Sequence, residues 1–388
     1  MTGERTFQKF KRLIPKKAFL LWLDSLKKEY KLIGPVKTGN HAVFKEVDSS
    51  EELFMEYETT MLSPGKLFLY KPNEELFRFT FNENPPHPNP LPRGERELLY
   101  IPLPQGEGAR GRVAEIFSSG KISVDEIHPI AEKQIITGVH PCDVNAILYL
   151  DRTFLGAFKD PHYEARRKNT LIISLNCTHV GGNCFCSSVG AGPFLHAAGG
   201  YDMLLTDFES EYLVEIKSRE AEELFGLEGR GAGRDEMRFK AEKEKSMQGK
   251  FRKTISVSGL DNIFAENMDH PVWQQTAEEK CLSCANCVMV CPTCFCYDLR
   301  DEMSMDLKTV TRYRCFDACQ DIRFAEVHGG NFRQRRGARL RQFVTHKLDQ
   351  TNQYGVSATV GCGRCITWCP TGIDLTEITK EIQRYEPA

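Results

Sequence analysis

The placement of its cysteines constrains this chain more than any other feature. There are 15 cysteines in 388 residues, and one run reads Cys281-Leu282-Ser283-Cys284-Ala285-Asn286-Cys287-Val288-Met289-Val290-Cys291-Pro292. The spacing C-x2-C-x2-C-x3-C-P suits iron–sulfur cubanes: the first three thiolates each reach a different iron, while the fourth points away before the proline and serves a second cluster. Zinc would normally be gripped by two separated pairs. A second run, Cys362-Gly363-Arg364-Cys365-Ile366-Thr367-Trp368-Cys369-Pro370, keeps the same frame, but Thr359 stands where its first cysteine belongs. Exchanging fourth ligands between the runs assigns Cys281, Cys284, Cys287 and Cys369 to one 4Fe-4S cluster. Cys291, Cys362 and Cys365 fall to a second cluster whose fourth ligand is unknown. A threonine hydroxyl is a hard donor, poorly matched to this soft site. Three outcomes are open: a 3Fe-4S cluster, a cysteine from elsewhere, or a lost or labile cluster.

Other thiols form further groups. Cys142 follows an expected strand, as does Cys177, and Gly181-Gly182 turns the chain back towards Cys184 and Cys186. Two strand ends of one sheet can bring these four together, so a third 4Fe-4S cluster, a bare structural role and zinc are all open readings. Cys294 and Cys296 directly follow the first motif, and Cys315 and Cys319 are spaced by one helical turn. These four read as apolar packing beside a cluster or as replacement ligands. A disulfide framework would favour a small secreted domain and an even cysteine count. An odd number of clustered thiols in a chain of this length points to metal ligation in a reducing, cytoplasmic compartment. The formal net charge of −2 gives no general attraction to nucleic acid or to a membrane surface. No apolar run approaches the roughly 18 residues of a membrane helix, so no membrane insertion is expected.

The rest of the sequence suggests an α+β protein: an N-terminal α/β domain followed by a C-terminal α-helical ferredoxin-like domain. Residues 1–227 make up the first domain, with a helix over 16–30 and alternating segments such as Leu67-Phe68-Leu69-Tyr70. Apolar runs at 134–139 and 170–175 read as buried strands, and 143–150 as a helix capped by Asp143. Strand–helix–strand order implies an α/β core. Seven of the 19 prolines fall in 84–112, where Pro90-Leu91-Pro92 recurs as Pro102-Leu103-Pro104; this reads as a mobile surface insert. Residues 228–262 are a charged connector whose Lys, Arg and Glu alternate at helical spacing. The third segment, 263–388, carries both iron–sulfur motifs with helical patterning between them. Arg333, Arg335, Arg336, Arg339, Arg341 and Lys347 form a basic run without an acid. It reads as a solvated face, as neutralisation of anionic clusters, or as a docking face for an acidic partner.

Several segments together resemble the iron–sulfur beta subunit of cytoplasmic nickel–iron hydrogenases of the sulfhydrogenase type, and equally the iron–sulfur subunit of anaerobic sulfite reductase. They are Gly138-Val139-His140-Pro141-Cys142-Asp143, Asp160-Pro161-His162-Tyr163, Cys184-Phe185-Cys186-Ser187, Cys291-Pro292-Thr293-Cys294-Phe295-Cys296, Phe316-Asp317-Ala318-Cys319 and Gly361-Cys362-Gly363-Arg364-Cys365. The resemblance implies an electron-transfer role. Its partners on that reading are an FAD-containing, ferredoxin-reductase-like subunit on one side and a nickel–iron hydrogenase or sirohaem catalytic subunit on the other. The chain has no G-x-G-x-x-G fingerprint and no serine-triad motif, so turnover of a substrate is expected to belong to partner chains. A stand-alone iron–sulfur oxidoreductase and a structural zinc protein are the rival readings. Thr359 departs from the family pattern and puts the nuclearity of the second cluster in question.

Overall fold

The structure is a computed structural model, and it describes residues 10–82, 122–349 and 354–384. The proline-rich insert expected at 84–112 lies outside the described residues. The fold is a mixed α/β arrangement that divides into two compact units. Both units are discontinuous in sequence, whereas the sequence reading placed its domains one after another. The larger takes the described residues of Met1–Lys71, Ile130–Cys296 and Asp317–Ala388; the smaller takes those of Pro72–Pro129 and Tyr297–Phe316.

The larger unit is built on an eight-stranded sheet. Its strands are β1 (Lys11–Pro15), β2 (Lys31–Thr38), β3 (His41–Glu46), β6 (Gln134–Val139), β7 (Thr170–Leu175), β8 (Met203–Phe208), β9 (Glu211–Ile216) and β10 (Arg230–Gly231), and β4 (Asn73–Phe81) and β5 (Ile122–Glu126) belong to the smaller unit. The order is β10-β1-β9-β8-β7-β6-β2-β3. The central four, β8-β7-β6-β2, run parallel and the flanking pairs antiparallel. All six residues of β7 are buried, as expected for a parallel strand covered on both faces, where side chains need not alternate between apolar and polar. The strands expected at 134–139 and 170–175 are both present.

Three local readings are corrected. Residues 67–70 are not a strand: Gly65–Leu69 forms a turn of π-helix. Tertiary packing overrides the alternation here, because a Cβ on Gly65 would come within 2.8 Å of Ile147 and Lys66 is drawn inward to carbonyl oxygens of the first cysteine motif. Asp143 does not cap its helix. The helix spans Pro141–Phe154 with His140 as N-cap and Pro141 in the first turn, where proline's missing N–H costs nothing. Finally, the stretch between the two motifs is not wholly helical. β11 (Tyr297–Met303) and β12 (Thr309–Phe316) form a hairpin that joins β4 and β5 in the antiparallel sheet β11-β12-β4-β5 of the smaller unit. Cys315 therefore sits on a strand, its Sγ 3.3 Å from Asn73 Oδ1, and not on a helix with Cys319.

The larger unit also carries a two-stranded ribbon, Glu326–Val327 with Gly330–Asn331, and several helices. The connector contains the helix Arg234–Gln248. Helices Leu260–Glu266, Pro271–Glu279, Arg336–Leu348 and Leu375–Arg384 pack their apolar faces into one core that also holds Cys281, Cys291, Cys294 and Cys319. A buried ion pair ties this helical part to the sheet part. Arg364 donates from Nη1 and Nη2 to the two carboxylate oxygens of Asp143 at 2.7 and 2.8 Å, and from Nε and Nη2 to Thr60 O and Oγ1 at 2.7 and 3.1 Å. Both side chains are essentially inaccessible, at 1% and 0%. Breaking such a pair leaves an uncompensated buried charge, at a cost of about 3–5 kcal/mol. We therefore expect Arg364→Leu to lower the unfolding free energy by about that amount, measured by denaturant titration. A loss below about 1 kcal/mol, the scale of an exposed pair, would show that the pair does not hold the two parts together.

Candidate iron–sulfur centre

The two cysteine motifs fold alike. In each, a short helix, Asn286–Met289 or Arg364–Thr367, starts from a residue in the left-handed region, Ala285 (φ 64°) or Gly363 (φ 73°). This sharp entry turns successive thiols towards a common space. Cys281, Cys284, Cys287 and Cys369 line one pocket, and Cys365 reaches its wall. Cys291, Cys362 and Cys365 line a second pocket together with Thr359 and Lys347. These are the two ligand groups assigned from the spacing, gathered from stretches some 80 residues apart. Cys365, Phe343 and Leu375 line both pockets, so the two are separated by a single layer of side chains. Cys284 and Leu282 are exposed at the mouth of the first pocket, whereas Cys291 and Cys362 are buried.

The electrostatics suit a soft cationic centre. Burial pushes the thiols of Cys287, Cys362 and Cys365 up, and neighbouring thiols add to the rise. Thiols so placed ionise when iron supplies the opposing charge. Cys291 is the exception: a hydrogen bond from Cys294 holds it well below the usual thiol range, against the effect of burial. Backbone and side-chain donors also reach the sulfurs, with Ser283 N 3.4 Å from Cys281 Sγ and Ile373 N 3.3 Å from Cys369 Sγ. Among the described residues, no group of three or more His, Cys, Asp and Glu converges on a single metal-ion position. The thiols line two pockets, from whose different sides they could reach the separate irons of a cubane.

Thr359 takes the place left by the missing cysteine. Its Oγ1 accepts from Gly361 N at 3.2 Å, which folds it into the turn before Cys362. Cys294, Cys296, Cys315 and Cys319, the candidates for a replacement ligand, do not line the second pocket. Cys296 is instead hydrogen-bonded to Cys319, which lowers it to about 6, and Cys294 bonds to Cys291. The basic run divides. Arg336 donates to Cys281 O at 2.8 Å, while Arg339, itself buried, donates to Ser283 Oγ at 3.1 Å, so both brace the first motif. Lys347 is buried at the second pocket.

The N-terminal thiols cluster at the C-terminal ends of the parallel strands. Cys142 opens the helix after β6, Cys177 follows β7, and Cys184 and Cys186 lie on the loop that leads on towards β8. Cys186 feels the charges of Cys177, Cys184 and Cys362, and Cys142 those of Cys186 and Cys362. Burial raises all four thiols, Cys184 to about 11. His140, stacked on Tyr57 with ring centroids 4.0 Å apart, has a buried Nε2 with no hydrogen-bond partner among the described residues. The cysteine loop lies directly against the second motif: Phe185 N donates to Gly361 O at 2.8 Å, and Cys184 Sγ lies 3.7 Å from Cys362 O.

Residues 280–373 match the model of the 4Fe-4S dicluster domain. The chain is similar to the sulfhydrogenase 2 beta subunit of Pyrococcus furiosus, with 30% identity over 371 residues, covering 93% of this chain and 95% of the relative. The chain belongs to the sulfhydrogenase beta-subunit family. No solved structure matches it. The family motif Gly361-Cys362-Gly363 explains its glycines physically. Gly361 has φ +62°, and a Cβ there would come within 2.5 Å of Cys186 Cα; at Gly363 a Cβ would meet Asn183 O at 2.4 Å. Gly361→Ala therefore adds backbone strain of about 1–3 kcal/mol to a clash that the Cys184–Cys186 loop must relieve by moving. We expect a lower denaturation midpoint and faster labelling of Cys186 by a thiol reagent. Unchanged labelling would contradict the close approach.

Proposed function

We propose that the chain is the electron-transfer subunit of a multi-subunit cytoplasmic hydrogenase. It would relay single electrons between a flavin subunit, itself reduced by or reducing NAD(P)H, and a nickel–iron catalytic subunit. The observation that carries this reading is the pair of thiol-lined pockets sharing one wall. The first has the exposed Cys284 on its wall; the second is lined by the buried Cys291 and Cys362 and meets the Cys184–Cys186 loop at Phe185. Two or three centres in such a row can pass an electron from an outer partner to an inner one. The chain's residues contribute position and charge: short helices that aim the thiols, glycines that let the loops approach, and arginines that brace the outer motif.

On this reading Cys281, Cys284, Cys287 and Cys369 hold a 4Fe-4S cluster. Cys291, Cys362 and Cys365 hold a three-thiolate, three-iron centre, because the pocket offers Thr359 and no fourth sulfur. Cys142, Cys177, Cys184 and Cys186 hold a third cubane. When bound, the clusters supply one-electron redox chemistry at potentials set by their surroundings.

Anaerobic purification followed by iron counting and low-temperature EPR tests the assignment. About seven iron per chain are expected from the first two sites and about eleven with the third, from the stoichiometries of the clusters. An oxidised-state signal of a three-iron centre should be present and should vanish in Thr359→Cys, with a gain of about one iron. Cys284→Ser should remove part of the visible absorbance and stop hydrogen-dependent reduction of the flavin partner in the reconstituted complex. A colourless protein holding zinc would end the proposal, and an unaltered spectrum in Thr359→Cys would end the three-iron assignment.

A further inference from the structure

Lys347 lies in the last turn of the helix Arg336–Leu348 and is 3% exposed. Its Nζ donates to Thr293 Oγ1 at 3.0 Å, and that oxygen lies 3.3 Å from Cys291 Sγ while donating its own proton to Ala358 O. Burial opposes its charge, and the neighbours that most favour it are Cys291 and Cys294, the latter also as a hydrogen-bond partner. Lys66 is a second buried ammonium close by, but it donates to the carbonyl oxygens of Val288, Met289 and Cys291 at 2.9, 3.0 and 3.2 Å. Those three bonds account for its position at the end of a helix. Lys347 meets a neutral hydroxyl, Thr293 Oγ1, and the thiols of Cys291 and Cys294.

A buried ammonium costs several kcal/mol unless a negative charge answers it. The helix C-terminus supplies a partial one, but Lys347 is directed to the pocket that Cys291, Cys362 and Cys365 line. We propose that Lys347 is the internal counter-charge of the second centre, acting through Thr293 on the Cys291 sulfur and holding that centre's reduction potential above the value its thiolates alone would set. The inference rests on the reading that these three cysteines hold a cluster. Reduction adds negative charge to the centre, and a fixed positive charge beside it favours the reduced form. Removing the charge must therefore lower the midpoint potential of the second centre and leave the first, braced by Arg336 and Arg339, almost unchanged. Lys347 is a positioning residue; it is not a ligand.

The test is an EPR-monitored redox titration of the anaerobically purified full chain, comparing wild type with Lys347→Met and Lys347→Arg. The Met variant keeps the length and apolar stem of the side chain. It should shift the redox equilibrium of the second centre by about tenfold, equivalent to 59 mV for one electron. The Arg variant should stay within about threefold of wild type, and the first centre should not move in either. Should Met fail to load the second centre while Arg loads it, a positive charge is needed to assemble the site, and the inference stands. A Met variant within threefold of wild type, an equal shift of both centres, or loss of the second centre in Arg and Met alike would overturn it. A wild-type chain with no second-centre signal would instead defeat the cluster assignment, and the iron count separates the two failures.

Discussion

Two charges buried together, Arg364 and Asp143, join the parts of the larger unit. Asp143 stands in the first helical turn after the parallel strand β6, at the C-terminal end of that strand where Cys142 also emerges. Arg364 stands between two cysteines of the second motif, and neither side chain touches water. Each answers the charge of the other, and Thr60 accepts two further hydrogen bonds from the guanidinium. An apolar pair could fill the same space with equal or greater stability. What the ion pair adds is direction: a bidentate guanidinium–carboxylate contact fixes distance and angle, and so sets how the N-terminal thiols face Cys362. The glycines on either side of Cys362 then allow backbone to lie against backbone with no side chain between.

Which cysteines line which pocket is largely legible in their linear spacing. The grouping of Cys281, Cys284 and Cys287 with Cys369, and of Cys291 with Cys362 and Cys365, follows from a motif whose geometry is local. The folded chain only has to bring two such motifs together. The buried strands 134–139 and 170–175 were equally readable, because a parallel strand covered on both faces is a short unbroken apolar run. What could not be read depended on distant partners. Leu67-Phe68-Leu69-Tyr70 alternates no differently from a strand, and only the packing of Gly65 on Ile147 and the burial of Lys66 make it helical. Cys315 and Cys319 keep helical spacing but belong to different units, since the strand that carries Cys315 pairs with β4, far upstream. The role of Asp143 was hidden because its partner lies 221 positions along the chain; an acidic residue after a strand is more often a cap.

The basic run shows how one composition signal conceals several jobs. A stretch with no acid between 332 and 347 suggests a solvated or docking face, yet its members separate by depth. Arg336 and Arg339 donate to the loop 281–283, and Lys347 turns wholly inward. Positive charge stands at both pockets: guanidinium groups tied to backbone and hydroxyl oxygen at the first, a buried ammonium bonded to Thr293 at the second. A cluster's preference for an electron depends on such fixed charges as well as on its ligands.

The smaller unit has a consequence for how this architecture could vary. Its hairpin leaves the larger unit after Cys296 and returns at Asp317, and a hydrogen bond of 3.0 Å from Asp317 N to Cys296 O holds the two ends together. The severed ends are thus already neighbours. Lineages, or engineers, can lengthen, shorten or exchange the ornament between them while the cysteines on either side keep their places.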